Sequence, residues 1–255
     1  MTQAPVALIT GAADGIGFAM ATRMAQAGCR VVIADLDAAH AAMKAASLGP
    51  DHLGLAMDVT SETAVEDGFA AAIAQFGRLD IAVCNAGIGD THLPSLEQDI
   101  ASFDRVLSVH LNGTFLVARA AARQMIGQGG GAILTVSSIA GVTGLPRRNA
   151  YGAAKAGIAA MTKAMACEWG PQGVRVNAIA PGYTRTALVA KLIDAGRIDE
   201  AKLRRRTPMG RLADPSEIAE AAWFLCSPAA SFITGSVLSV DGGWAAFGDA
   251  GDAHS

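Results

Sequence analysis

Tyr151 and Lys155 stand four residues apart in "NAYGAAKAG", residues 149–157, with Gly152, Ala153 and Ala154 between them. Four residues is about one helical turn, so the phenol and the ammonium rise from one face of a helix. A free phenol titrates near 10 and is a poor base at neutral pH. A neighbouring ammonium favours the phenolate, and so does any second positive charge held close by. Lowering the phenol by about 2–3 units takes roughly 3–4 kcal/mol, within reach of two cations in a partly desolvated cleft. Tyr151 would then take a proton from an alcohol as its hydride leaves, or return it in the reverse direction. Ser138 precedes Tyr151 by 13 residues and follows the apolar run "GAILTVS". A hydroxyl there can hydrogen-bond and orient a substrate oxygen. Serines at strand ends also cap and turn the chain, and Y-x-x-x-K also occurs in ordinary helices, so the reading depends on the residues around them.

A second group of residues could hold a dinucleotide. "ALITGAADGIG", residues 7–17, carries glycines at 11, 15 and 17, a G-x-x-x-G-x-G spacing rather than G-x-G-x-x-G. Gly11 permits a tight turn, Gly15 lets backbone approach a pyrophosphate, and Gly17 lets the helix pack against the strand. The helix beginning at Ile16 then offers amides and a partial positive charge to the phosphates. Asp35 ends the run "RVVIAD", 18 residues beyond Gly17. Its carboxylate can accept hydrogen bonds from both ribose hydroxyls and repels a 2′-phosphate. No Arg or Lys adjoins Asp35, and Asp14 in the glycine loop adds negative charge, so NAD is expected rather than NADP. Asp58 and Val59 close the third apolar run, and Asn85, Ala86 and Gly87 the fourth. Each of these alone also fits a plain turn, but ligands of doubly wound sheets bind beyond such strand ends.

Positioning these groups falls to seven short apolar runs: "PVALIT", "RVVIAD", "HLGLAM", "LDIAVC", "GAILTVS", "VRVNAIA" and "SVLSVD". Most are nearly continuous in apolar residues, as strands covered on both faces are. Helical patterns start near Ile16, Ala38, Ser61, Ser102, Asn149, Arg185 and Pro215 between them. The alternation predicts βαβ units, a parallel sheet and an α/β fold in one domain spanning residues 1–255. "GQGGG", 127–131, reads as a helix end. Residues 185–213 read as a charged helical flap, with Asp214 and Pro215 starting the next helix as N-cap and first turn. The tail, 248–255, is small and polar and is expected to fray unless an interface holds it.

Composition excludes several classes. The chain of 255 residues is 51% hydrophobic with a net charge of -3, so no global basic field draws it to nucleic acid. No run approaches the ~20 apolar residues of a membrane span, and the N-terminus lacks the basic region of a secretory signal. The four cysteines, Cys29, Cys84, Cys167 and Cys226, are scattered and read as small core residues without disulfides. A cytoplasmic protein is the expectation. His40, His52, His92 and His254 have no companions at ligand spacing, so no metal is expected.

The ordered set "TGAADGIG", "DV" (58–59), "NAG" (85–87), Ser138, "YGAAK", "NAIAPGYTRT" (177–186) and "ITGSVLSVDGGW" (233–244) resembles the short-chain dehydrogenase/reductase family over almost the whole chain. The resemblance implies a Rossmann-like seven-stranded doubly wound sheet, NAD(P)-linked oxidoreduction and a homotetramer. It implies that Ser138, Tyr151 and Lys155 are catalytic, with Tyr151 and Lys155 also meeting the cofactor. Pro181, Gly182, Thr184 and Thr186 would border the nicotinamide. One position departs from the pattern. The family reads V-N-L-x-G where this chain reads "VHLNG", 109–113, so His110 takes the place of a fourth catalytic asparagine. That asparagine holds a water beside the lysine. An imidazole could do this or relay the proton itself, against a merely structural His.

Specificity is expected from "IGDTHLP" (88–94), residues 139–149 and the flap. Arg147 and Arg148 precede Tyr151, and the flap carries Lys191, Arg197, Lys202, Arg204, Arg205 and Arg206. They point to an anionic small-molecule substrate, such as a sugar acid, hydroxy acid or acyl thioester, or else to solvated faces and subunit contacts. The leading expectation is an NAD-dependent dehydrogenase of a secondary alcohol on a small polar or carbohydrate-like molecule. A 3-oxoacyl-thioester reductase is the second, and a non-catalytic dinucleotide-sensing or scaffold protein is the alternative of another class.

Overall fold

A computed structural model of the chain describes residues 4–249 and 251–254. The seven apolar runs form seven strands: β1 Val6–Thr10, β2 Arg30–Asp35, β3 Leu53–Ala56, β4 Ile81–Cys84, β5 Gly131–Val136, β6 Val174–Pro181 and β7 Val237–Val240. They pair in parallel in the order β3-β2-β1-β4-β5-β6-β7. The order reverses between β1 and β4, and at such a switch point the carboxyl ends of the strands open a crevice.

Alternate residues of a strand point to opposite faces, and the core divides accordingly. Val6 and Leu8 of β1 face one apolar layer, built with α3 (Glu62–Phe76), α5 (Gly113–Gly127) and α6 (Asn149–Trp169). Ala7 and Ile9 face the other, built with α1 (Gly15–Gln26), α2 (Ala38–Leu48) and α9 (Pro215–Cys226). The remaining helices are α4 (Ile100–Leu107), α7 (Ala187–Asp194) and α8 (Glu200–Arg206). Helix starts follow their caps: the Asp37 and Ser61 side chains accept from His40 N and Ala64 N, and Asp214 forms a capping box with Glu217 ahead of Pro215.

Two features differ from the sequence expectations. The helix expected from Ser102 starts at Ile100, behind the Asp99 cap, and is interrupted by a π turn at Ser108–Asn112 between α4 and α5. That wider turn carries His110 inward, while Asn112 stays exposed. The helical flap consists of two short helices, and α7 begins at Ala187 because the Thr186 hydroxyl caps it by accepting from Val189 N. The tail folds back on α8 rather than fraying: Ala253 N donates to Arg205 O at 2.8 Å, and Arg205 meets Asp252 at 3.5 Å. Of the tail expected over 248–255, Ala250 and Ser255 lie outside the described residues. All four cysteines are free. Among the described residues, no helix is long and apolar enough to cross a membrane.

Candidate active site

A cleft of about 1410 Å³ runs across the carboxyl ends of the strands, lined from Gly11 and Asp35 at one end to Tyr151 and Arg197 at the other. Its cofactor-binding end is built on close backbone approach. Gly11 has φ +60, and a side chain there would set Cβ 2.8 Å from Ala86 Cα. Gly17 is buried in α1, where a Cβ would lie 2.6 Å from Asn85 Nδ2. The Asn85 amide explains the crowding: Nδ2 donates to Thr10 O and Gly11 O, both at 2.9 Å. Thr10 Oγ1 in turn accepts from Asn85 N and Ala86 N at 3.1 and 3.2 Å. The Asn85 side chain therefore braces β4 against the glycine turn, while Ala86 and Gly87 line the cleft.

Asp35 Oδ2 accepts from Ala13 N at 3.0 Å and Oδ1 from Leu36 N at 2.8 Å. Each oxygen keeps lone-pair capacity toward the cleft. Asp58 Oδ1 accepts from Thr60 N and Thr60 Oγ1 at 2.9 and 2.7 Å. Asp14, Asp35 and Asp58 line this end with Ile16 and Val59, and His40 stands 3.9 Å from Asp14. Gly15, with φ +57, opens α1 without itself lining the cleft; Thr186 does line it, with its methyl 3.5 Å from where a Gly15 Cβ would stand. Pro181, Gly182 and Thr184 complete that wall, and Thr184 Oγ1 donates to Gly182 O at 3.2 Å.

At the other end, α6 presents Tyr151 and Lys155 on one face, as their spacing requires. Lys155 is 4% exposed, and its Nζ donates to Val136 O at 2.6 Å while standing 5.4 Å from the centre of the Tyr151 ring. The Lys155 carbonyl accepts from Ser137 Oγ at 2.8 Å, tying α6 to the end of β5. The Ser138 hydroxyl accepts from Ala140 N at 3.1 Å. Burial pushes the Tyr151 phenol above its ordinary value, with Ser138 and Arg148 opposing it. Burial also lowers Lys155 to about 7. Desolvation is thus the largest influence on the phenol and the one named for the lysine, and the groups that lower the phenol are Ser138 and Arg148 rather than Lys155.

His110, 3% exposed, sits over Gly87 and meets the Tyr151 ring edge-on, with centroids 5.1 Å apart at 88°. Its Nε2 lies 2.8 Å from Ile88 O and 3.1 Å from Ile88 N, while Nδ1 has no hydrogen-bond partner among the described residues. Burial, helped by Lys155, lowers its pKa to about 4. The ring is therefore neutral at neutral pH, the form in which the sequence expectation has it hold a water or relay a proton.

The basic residues divide. Arg147, Arg148 and Arg197 line the cleft. Arg185 pairs with Glu200 at 2.6 Å, Arg204 donates to Gly210 O at 2.9 Å, and Arg206 Nη2 donates to Phe247 O at 2.6 Å. Lys191 and Lys202 do not line it. Tyr183, whose ring packs edge-on against Trp244 at 5.0 Å, and Leu188, Val189 and Leu192 of the flap line the cleft within segments the sequence had marked, whereas Arg105 and Ser108 line it and were missed. Tyr183 lay inside a motif already singled out; the three aliphatic residues carried only a helical period.

A family model described as enoyl-(acyl carrier protein) reductase matches residues 11–245. A cis-4-hydroxycyclohexanecarboxylate dehydrogenase of Sinomonas cyclohexanicum is 45% identical over 94% of this chain and 96% of its own. A D-threitol dehydrogenase of Mycolicibacterium smegmatis is 43% identical over 94% of this chain and 92% of its own. The crystal structure of a 3-ketoacyl-(acyl-carrier-protein) reductase from Brucella melitensis complexed with NADH superposes with a TM-score of 0.89, at 39% identity, covering 95% of this chain and 99% of that one. One further relative, an uncharacterized short-chain type dehydrogenase/reductase of Sinorhizobium fredii, is 44% identical over 98% of this chain; the chain spans 45% of its length.

Proposed function

The chain belongs to the short-chain dehydrogenase/reductase family, whose chemistry is oxidoreduction at CH–OH groups with a nicotinamide dinucleotide, and from that premise we propose that it is an NAD-dependent dehydrogenase of a secondary alcohol on a small polar molecule. The substrate class comprises sugars, polyols, sugar acids and hydroxy acids. The observation that carries the reading is the meeting of Ser138, Tyr151 and Lys155 at one end of a cleft whose other end is a glycine turn beside Asp35. The turn leaves no room for side chains at Gly11 and Gly17, and Asp35 retains acceptor capacity, so these residues fit a dinucleotide. Amides of the Gly11–Ile16 turn would take the phosphates, Asp35 the ribose, and Pro181–Thr186 the carboxamide end.

A bound NAD supplies the hydride acceptor and, while oxidised, a positive charge. Ser138 orients the substrate oxygen by hydrogen bonding. Tyr151 accepts the hydroxyl proton, with the Lys155 amine held 5.4 Å from its ring centre. Because burial raises the phenol, alcohol oxidation gains as pH rises and Tyr151 loses its proton, and ketone reduction gains as pH falls. At the adenosine end, Asp35 repels a 2′-phosphate. We expect kcat/KM with NAD to exceed that with NADP by at least about 100-fold, and Asp35→Asn to narrow the gap.

The second reading, a 3-oxoacyl-thioester reductase, is favoured by the Brucella structure and the basic rim. NADH formation or consumption across a panel of sugars, polyols, hydroxy acids and acyl thioesters separates the two. If no panel member turned over with either cofactor, the sensing or scaffold alternative would stand.

A further inference from the structure

We propose that Arg148 anchors a carboxylate of the substrate, which makes the substrate class small hydroxy acids; the proposal rests on the dehydrogenase reading above and narrows it. Among the described residues, arginines away from the cleft are engaged by acids, carbonyls or rings. Arg23, Arg78, Arg119, Arg123, Arg185 and Arg211 each hold a carboxylate. Arg148 holds none. Its guanidinium carbon lies 5.5 Å from the centre of the Tyr151 ring. It is half-buried, at the first residue before α6, and its charge is felt by Tyr151, Tyr183 and His92 around the same space. A guanidinium removed from water without a counter-ion is costly, and a planar carboxylate answers it with two parallel hydrogen bonds.

The wall beside it is strained in a way that points to the same use. Among the described residues, two other than glycine have positive φ: His92 at 60° and Arg147 at 64°. Both line this part of the cleft. Left-handed backbone at an arginine persists only where surrounding structure imposes it, and such positions cluster at ligand sites. Asp90, whose charge acts at His92 and His110, accepts from Tyr151 N at 3.2 Å and Thr91 N at 2.7 Å and forms no ion pair with Arg148. Leu188, Val189 and Leu192 also line the cleft. A compact apolar body between a hydroxyl at Tyr151 and a carboxylate at Arg148 fits this arrangement.

The test measures binding of cyclohexanecarboxylate and of its neutral amide to the NADH-loaded enzyme by calorimetry, for the wild type, Arg148→Gln and Arg148→Lys. NADH affinity is measured alongside. Wild type is expected to hold the carboxylate at least about 10-fold more tightly than the amide. Arg148→Gln should bring that ratio close to one, with Arg148→Lys between. A wild-type ratio near one, or a ratio unchanged in Arg148→Gln, overturns the proposal. Should Arg148→Gln fail to fold, the wild-type ratio and Arg148→Lys decide in its place. Failure of the dehydrogenase reading shows separately, as absence of NADH formation from every secondary alcohol tried.

Discussion

His110 shows how far a residue's chemistry depends on where its side chain ends up. Its position in "VHLNG" is legible from sequence, and so is the substitution of an imidazole for an amide. Its burial is not, nor is the engagement of Nε2 by Ile88. Held near 4 against an ordinary value of about 6.5, the ring is neutral throughout the physiological range. The unfolded chain binds a proton there between those values and the folded chain does not, so His110 makes stability rise with pH from about 4 to about 6.5. Urea denaturation of the wild type and His110→Asn across that window should show the variant losing part of the slope. The kcat profile should show no titration between pH 5 and 8 that disappears with His110→Asn; one that did would mean that the ring takes up a proton in that range. Tyr151 and Lys155 were legible as neighbours because four residues span one helical turn, and Ser138 because it ends an apolar run; their catalytic role was legible only through the family resemblance. The competing desolvation of the phenol was not, because no local pattern reports burial.

At the scale of elements, the glycine turn is held by packing between two strand ends, which makes it sensitive to a single methyl group. Gly17→Ala places its Cβ against Asn85 Nδ2 and the Gly11 carbonyl, so the β1–α1 turn must shift. We expect at least about a 10-fold loss of NADH affinity, with a Tm lower by several degrees from overpacking. Fluorescence titration and a thermal melt check both; undisturbed affinity would mean that the turn does not cradle the dinucleotide. All seven strands were legible as short apolar runs: β1, β2, β4, β5 and β6 are buried on both faces, and the edge strands β3 and β7 are partly exposed. The π turn at Ser108–Asn112 was not, because a tertiary contact of His110 with the Gly87–Ile88 backbone accompanies it and helical period continues on either side. The flap's division was hidden for a similar reason: its caps at Thr186 and Asp199 are ordinary polar residues.

For the whole molecule, the uneven placement of charge and apolar surface carries the argument. The basic residues from Arg185 to Arg206 looked like one cluster in sequence. The fold divides them: Arg197 faces the cleft, while Arg204, Arg205 and Arg206 bind backbone or the tail. That division follows from the two-helix flap and could not be read from charge alone. Large apolar side chains remain exposed at Phe115 on α5, Phe224 on α9, and Phe232 and Leu238 at the β7 edge. Exposed apolar surface of this kind serves association, and a homotetramer is the proposed assembly. Light scattering should give four times the chain mass, and Phe232→Glu should shift it downward.

The central claim is that the Tyr151 hydroxyl carries the proton while hydride is exchanged with the nicotinamide. The most direct measurement is single-turnover NADH formation from a secondary alcohol at saturating NAD, by wild type and by Tyr151→Phe. Wild type should form NADH, and the variant should be slower by at least about 100-fold while binding NADH as tightly. Equal rates in the two proteins, with both loaded, would contradict the account.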